Sequence, residues 1–188
     1  METFAVYWEP IVKTYGISER TGLCLISLDL PFNRLSDGGA CLSRIASRFG
    51  GSLILIFSRP ASPSVLRLNL LLDRLLERPE AVEENNRPSH TIGMNIDSLA
   101  SFGGIFSGLR VDNPVELIYF QGPHYGDRYG IAGAAVTALA AHVVPLLAVV
   151  CAGASVYLII PEGMASAAVN ALKEAFSTPE TVKNPSNL

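Results

Sequence analysis

The run Val115-Glu116-Leu117-Ile118-Tyr119-Phe120 opens the stretch that decides the fold. A polar, glycine-rich turn follows at 121–130, then an alanine-rich segment at 131–142, two short apolar runs at 145–150 and 154–160, and an amphipathic segment at 165–176. Ile131, Ala135, Leu139 and His142 recur at helical spacing, as do Ala168, Leu172, Ala175 and Phe176. The apolar runs between them are only six or seven residues long, the length of strands. The order is therefore strand, helix, strand, strand, helix. Two helices that link three strands must cross one face of a sheet. Right-handed crossovers leave few topologies, of which the split βαβ, or ferredoxin-like, arrangement is the common one.

Working outward, the first half repeats this order. Leu23-Cys24-Leu25-Ile26-Ser27-Leu28-Asp29-Leu30 reads as a strand closed by Pro31, which has no N–H to give to a ladder. A polar turn at 32–37 leads into a helix with Asp37, or Ser36 before it, as its N-cap and Leu42, Ile45 and Phe49 as its buried stripe. Gly50-Gly51 stops that helix, and 52–57 forms the second strand. Val65, Leu68, Leu72, Leu75 and Leu76 then fall at helical spacing and predict an inserted helix within 61–88, ending in a charged loop. Its leucine face needs a cover, and about two heptads are too few for a coiled coil. The delayed third strand is expected at 90–96, and a loose helix at 99–109 is weakened by Gly103, Gly104 and Gly108. The fold class read from this order is α+β, two tandem ferredoxin-like units with antiparallel sheets and helices on one face. Residues 1–22 form a lead-in strand and connector, 23–112 the first unit with its insert, 113–177 the second unit, and 178–188 a tail rich in Pro, Asn and Ser.

Composition excludes several classes. The chain has 188 residues, 49% of them hydrophobic, and surplus apolar surface of this kind usually ends in an interface. A formal net charge of −3 with no basic patch gives no reason to expect nucleic acid. Cys24, Cys41 and Cys151 sit inside apolar runs without metal-ligand spacing, so they read as core thiols in a reducing compartment. No secretion signal opens the sequence, and the expected location is the cytoplasm. The charge-free region 131–160 is broken by Pro145 and Gly153 into pieces too short to cross a bilayer, so no membrane partner is expected.

Residues 115–122, the run Tyr129-Gly130-Ile131-Ala132-Gly133-Ala134-Ala135 continuing to Leu139, and Ser155-Val156-Tyr157-Leu158-Ile159-Ile160-Pro161-Glu162 with 168–176 resemble the ACT domain. The closest likeness is to the second unit of the paired ACT regulatory region of aspartokinases. Thr14-Tyr15-Gly16-Ile17 resembles the lead-in to the first unit of such a pair. In that family the turn after the first strand lines the effector site. The resemblance carries Asn33, Asp37, Gly38, Asp127, Arg128, Gly130 and Ile131 to ligand binding. The pattern departs from the family where polar side chains would grip an effector. The turns read Ser36-Asp37-Gly38-Gly39 and Asp127-Arg128-Tyr129-Gly130 in place of a Pro-Gly pair, and the second strands end in Ser58-Arg59-Pro60 and Cys151-Ala152-Gly153-Ala154. Lysine or threonine specificity is not carried over.

The residue chemistry points the same way. Both turns enter helix N-termini, whose unpaired N–H groups and positive dipole end attract a carboxylate. Asp37 or Asp127 could face an ammonium group, with His124 as a loop hydrogen-bond donor among the ligand-binding candidates. The plainer reading is that Asp37 caps its helix and that Asp127 with Arg128 is a solvated pair. No phosphate loop, HExxH, GxSxG or paired catalytic carboxylates occur, so no catalytic residue, metal site or cofactor is expected. The expectation is a non-catalytic regulatory protein that binds a small amino acid or related metabolite at the unit interface. It would work as a homodimer, with an amino-acid metabolic enzyme as partner. The alternative is an ACT-like protein–protein interaction module without a small-molecule ligand.

Overall fold

The computed structural model describes residues 12–49, 51–73, 104–126 and 128–177. Among them lie six antiparallel strands: β1 (Gly16–Pro31), β2 (Leu53–Ser62), β3 (Val65–Leu72), β4 (Gly108–Gln121), β5 (Ala148–Ala152) and β6 (Ser155–Pro161). The three α helices are α1 (Leu35–Phe49), α2 (Ile131–Ala141) and α3 (Ala165–Ala175). Two compact units divide the chain, one of Gly22–Val115 and one of Met1–Thr21 with Glu116–Leu188.

In the Gly22–Val115 unit the strand order is β2-β3-β1-β4. β3 sets the register on both sides, with Cys24 opposite Leu72 and Pro31 opposite Val65 on β1, and Ser62 opposite Val65 on β2. Alternation then sorts the side chains. Cys24, Ile26, Leu28 and Leu30 of β1 and Leu68, Leu70 and Leu72 of β3 pack with Cys41 and Ile45 of α1. Asp29, Arg67 and Asn69 fall on the other face by the same period. Gly38 is buried in the first turn of α1 because the Leu30 side chain fills the space that a Cβ would need.

In the unit formed by Glu116–Leu188 with Met1–Thr21, the order is β1-β4-β6-β5. β5 and β6 form a hairpin with Ala152 opposite Ser155, turned by Gly153 at φ +57°. Ile118 and Phe120 of β4, with Leu158 and Ile160 of β6, face Ile131, Ala135 and Leu139 of α2 and Ala168 and Leu172 of α3. Alanine along both helices lets them lie close to the sheet. Phe120 is gripped by two more rings, Phe176 at 5.0 Å and Tyr125 edge-on at 6.0 Å. Beyond α3 the chain returns to the lead-in, where the Ser177 N–H donates to the Val12 carbonyl and the Thr14 N–H to the Ser177 carbonyl, both at 2.9 Å.

The second half matches its expected succession, with β5 starting at Ala148 and not at 145. Four readings of the sequence are corrected. Residues 65–72, expected in an inserted helix, form β3. Leu66, Leu68, Leu70 and Leu72 alternate with Arg67 and Asn69 at period two, and the antiparallel partners on both sides decide in favour of that period. α1 begins at Leu35, so Asp37 lies inside the first turn and is not its N-cap. Residues 108–109 begin β4, so a helix does not extend to 109. Cys151 is exposed on β5, while Cys24 and Cys41 are buried; burial pushes the Cys24 thiol up to about 11. The remainder of the insert from 74, the strand at 90–96, residues 99–103, the run at 4–8 and the tail lie outside the described residues, as do Gly50 and the Phe49 side chain.

Glu116 is buried at 5% exposure and yet ionisable. One carboxylate oxygen, Oε2, accepts the N–H of Met164 at 2.9 Å and of Ala165 at 2.6 Å, two of the donors that α3 leaves unpaired at its start. A strand side chain thus caps a helix 48 residues further on. Replacing Glu116 by Ala strands both donors and is expected to cost roughly 1–3 kcal/mol. Glu116→Gln keeps a carbonyl acceptor and should cost less. Urea unfolding of the two variants checks this; equal midpoints for Glu116→Ala and wild type would contradict it.

Candidate functional site

The turn between β4 and α2 is built from its ends inward. Gly122 is required at the start, since a Cβ there would meet the Lys13 carbonyl oxygen and the Tyr125 ring. Tyr125 is buried against Phe120, and burial raises its phenol pKa while Thr14 and Arg128 draw it down. The Thr14 hydroxyl donates to the Gln121 carbonyl at 2.8 Å and ties the same corner to the lead-in. His124 adopts φ +61°, and Gly130 caps α2 from the left-handed region at φ +88°. Gly130 has no side chain with which to cap α2, so this helix start receives nothing from its own N-cap residue. His124 and Tyr129 are exposed, Arg128 is half-buried, and Ile131 points into the core. Asp127 lies outside the described residues.

The corresponding turn after β1 has a different occupancy. Residues Phe32–Arg34 form a single 3-10 turn that runs straight into α1. Asn33 is exposed there, and Asp37 is held by Arg34, whose Nε donates to Oδ2 at 2.8 Å. Arg34 also donates through Nη1 to the Gly104 carbonyl. Gly38 serves helix–strand packing against Leu30. This helix start therefore has an internal carboxylate in its first turn, which favours it over an external one.

Sequence reasoning did not single out Arg34, Glu116, Tyr125 or the pair Asp29–Arg67. An ionisable residue inside an apolar strand, as at Glu116 and Asp29, was the available signal, because such a group needs a partner. Arg67 grips Asp29 with Nε to Oδ1 at 2.6 Å and Nη2 to Oδ2 at 2.8 Å, a bidentate fork across β1 and β3. That fork, helped by the charges of Arg67 and Arg59, holds the Asp29 carboxyl below its ordinary 3.8 against partial burial.

Among the described residues no group of His, Cys, Asp and Glu is placed to hold a metal ion, and no helix is long and apolar enough to cross a membrane. Neither a family model nor a curated protein matches the sequence. Solved structures do match it: the fold is that of the ACT-containing regulatory region of aspartate kinases. It matches the ligand-free regulatory subunit of aspartate kinase from Thermus thermophilus with a TM-score of 0.65 and 14% identity, over 88% of this chain and 98% of that one. A putative C-terminal regulatory domain of aspartate kinase from Porphyromonas gingivalis matches with a TM-score of 0.59 and 16% identity, over 86% and 96%. E. coli aspartokinase III in complex with lysine and aspartate, in its T-state, matches with a TM-score of 0.55 and 14% identity, over 90% of this chain and 35% of that one.

The Asp29–Arg67 fork gives a pH signature. A carboxyl held below its unfolded value adds stability above that value, and the gain is lost as pH falls through the folded one. Wild type should therefore lose stability more steeply below pH 3.8 than Asp29→Asn does. Urea midpoints measured across that range check the difference, and parallel profiles would contradict it.

Proposed function

We propose that this chain is a non-catalytic regulatory protein of two tandem ACT-like units, each of ferredoxin-like topology, that binds a small amino acid or related metabolite. The strand orders β2-β3-β1-β4 and β1-β4-β6-β5 support the repeated unit, since each places its own first strand between its third strand and the other long strand. The observation that carries the ligand reading is the start of α2, where a glycine N-cap in the left-handed region, with no side chain of its own to cap the helix, follows a polar turn. The ligand carboxylate would sit at the first N–H groups of α2 with Arg128 beside it, and His124, Asp127, Gly130 and Ile131 complete the proposed site. Asn33, Asp37 and Gly38 are the equivalent residues of the other turn and hold the weaker site, because Arg34 already engages Asp37. The working form is a cytoplasmic homodimer that acts on an amino-acid metabolic enzyme.

Lysine and aspartate are the first ligands to test, because the E. coli enzyme was crystallised with both. A ligand specific for the folded state adds RT ln(1 + [L]/Kd), about 2.7 kcal/mol at a hundredfold excess over Kd. A thermal-shift screen of the twenty amino acids should show stabilisation by one or a few, reduced in Arg128→Ala. Absence of any shift at millimolar concentration would remove the sensing role.

A second reading, an interaction module without a small ligand, draws on exposed apolar side chains in the same unit. Tyr129 is 94% and Val143 85% exposed, and Leu147 and Val149 project near the edge strand. A dimer or enzyme complex lost in Val143→Glu, in a protein deaf to every amino acid, would favour it.

A further inference from the structure

The face of the Gly22–Val115 unit that turns away from α1 carries a row of charges. Arg59 on β2 stands opposite Arg67 on β3, and Arg67 stands opposite Asp29 on β1. Like charges directly opposite on neighbouring strands repel, and here the second arginine is spanned only in part by the aspartate. On β4, Arg110 donates Nε and Nη2 to one oxygen of Asp112, at 3.1 Å and 2.8 Å. Three guanidiniums thus meet two carboxylates among these residues, an excess of one positive charge.

A cavity of about 210 Å³ opens in the middle of this row, bounded by Ser27, Asp29, Arg67 and residues Gly108, Leu109 and Arg110. Each guanidinium carries five donors in a fixed fork, and a carboxylate uses two of them. Ser27 donates its proton to Asn69 Oδ1 at 2.8 Å, and the buried Nδ2 of that Asn69 has no hydrogen-bond partner. A buried amide donor left without a partner is unusual and commonly marks a place for a water or an ion. Gly108 keeps the wall open, because a Cβ there would stand 3.2 Å from Asp29 Oδ2. Leu109 gives the cavity an apolar side.

We propose that this cavity is an anion site that takes the oxyanion end, carboxylate or phosphate, of a small metabolite. Arg67 and Arg110 supply the charge-assisted donors, and Leu109 covers the carbon portion. Asp29 is spent on aligning Arg67, and two guanidiniums against one carboxylate line the cavity, so a positive charge faces the ligand. The site is separate from the turn at α2 and does not rest on the amino-acid reading.

Inorganic phosphate and succinate are the probes, titrated into the full chain by calorimetry with sodium chloride at matched ionic strength as the blank. Binding of either above the blank is expected; phosphate alone identifies a phosphoester ligand and succinate alone a carboxylate. Arg110, whose side chain is 68% exposed, can be changed without disturbing the core, and Arg110→Gln should weaken binding about tenfold or more. Gly108→Ala, which narrows the cavity, should weaken it as well, while Arg44→Gln on α1 should leave it unchanged. No heat above the blank, or equal binding by wild type, Arg110→Gln and Gly108→Ala, overturns the proposal. Because neither probe has an amino group, silence here leaves the amino-acid site standing, and silence in the amino-acid screen leaves this one standing.

Discussion

Backbone satisfaction on the two long strands governs the rest of the structure. β1 lies between β3 and β4 in the order of the Gly22–Val115 unit, and β4 lies between β1 and β6 in the order of the other, so most of their N–H and C=O groups need partners on both edges. In the Gly22–Val115 unit β1 is paired with β3 on one side, and the Ser107 N–H donates to the Asp29 carbonyl at 2.8 Å on the other. In the unit that holds Glu116, the Tyr15 N–H donates to the Gln121 carbonyl at the same distance. Interior strands are buried on both faces, which is why 23–30 and 115–120 read as nearly unbroken apolar runs. The polar residues that interrupt those runs then have few options. Asp29 must find Arg67, and Glu116 must find the start of α3.

The same constraint distinguishes the three helix starts. α3 is capped from β4 by Glu116, and α1 carries Asp37 in its first turn, steadied by Arg34. α2 is reached through a turn whose corners are fixed by Gly122, Tyr125 and Gly130, and its N-cap residue has no side chain to give. The Phe120, Tyr125 and Phe176 rings pack behind that turn.

Local signals carried much of this fold. The second half was legible because its helices, 131–141 and 165–175, show one clean period and its strands are short and β-branched. The first half was legible up to 57 for the same reason. Residues 65–72 were not, because Val65, Leu68 and Leu72 satisfy the helical period while Leu66, Leu68, Leu70 and Leu72 satisfy the strand period, and only partner strands can choose. The expected site turns were visible as glycine-rich breaks before helices. The helix-start contacts of Glu116 and Arg34 were not, since the sequence separates or disguises them. The cavity beside Asp29 joins three strands and has no local signature at all.

Hydrogen exchange read by mass spectrometry addresses the role of the two interior strands most directly. Amides that open only with global unfolding exchange most slowly. Peptides covering 23–30 and 115–120 should be the slowest in the protein, slower than the edge strands β2 and β5. Exchange there as fast as in the turn at 122–126 would contradict a fold held by β1 and β4.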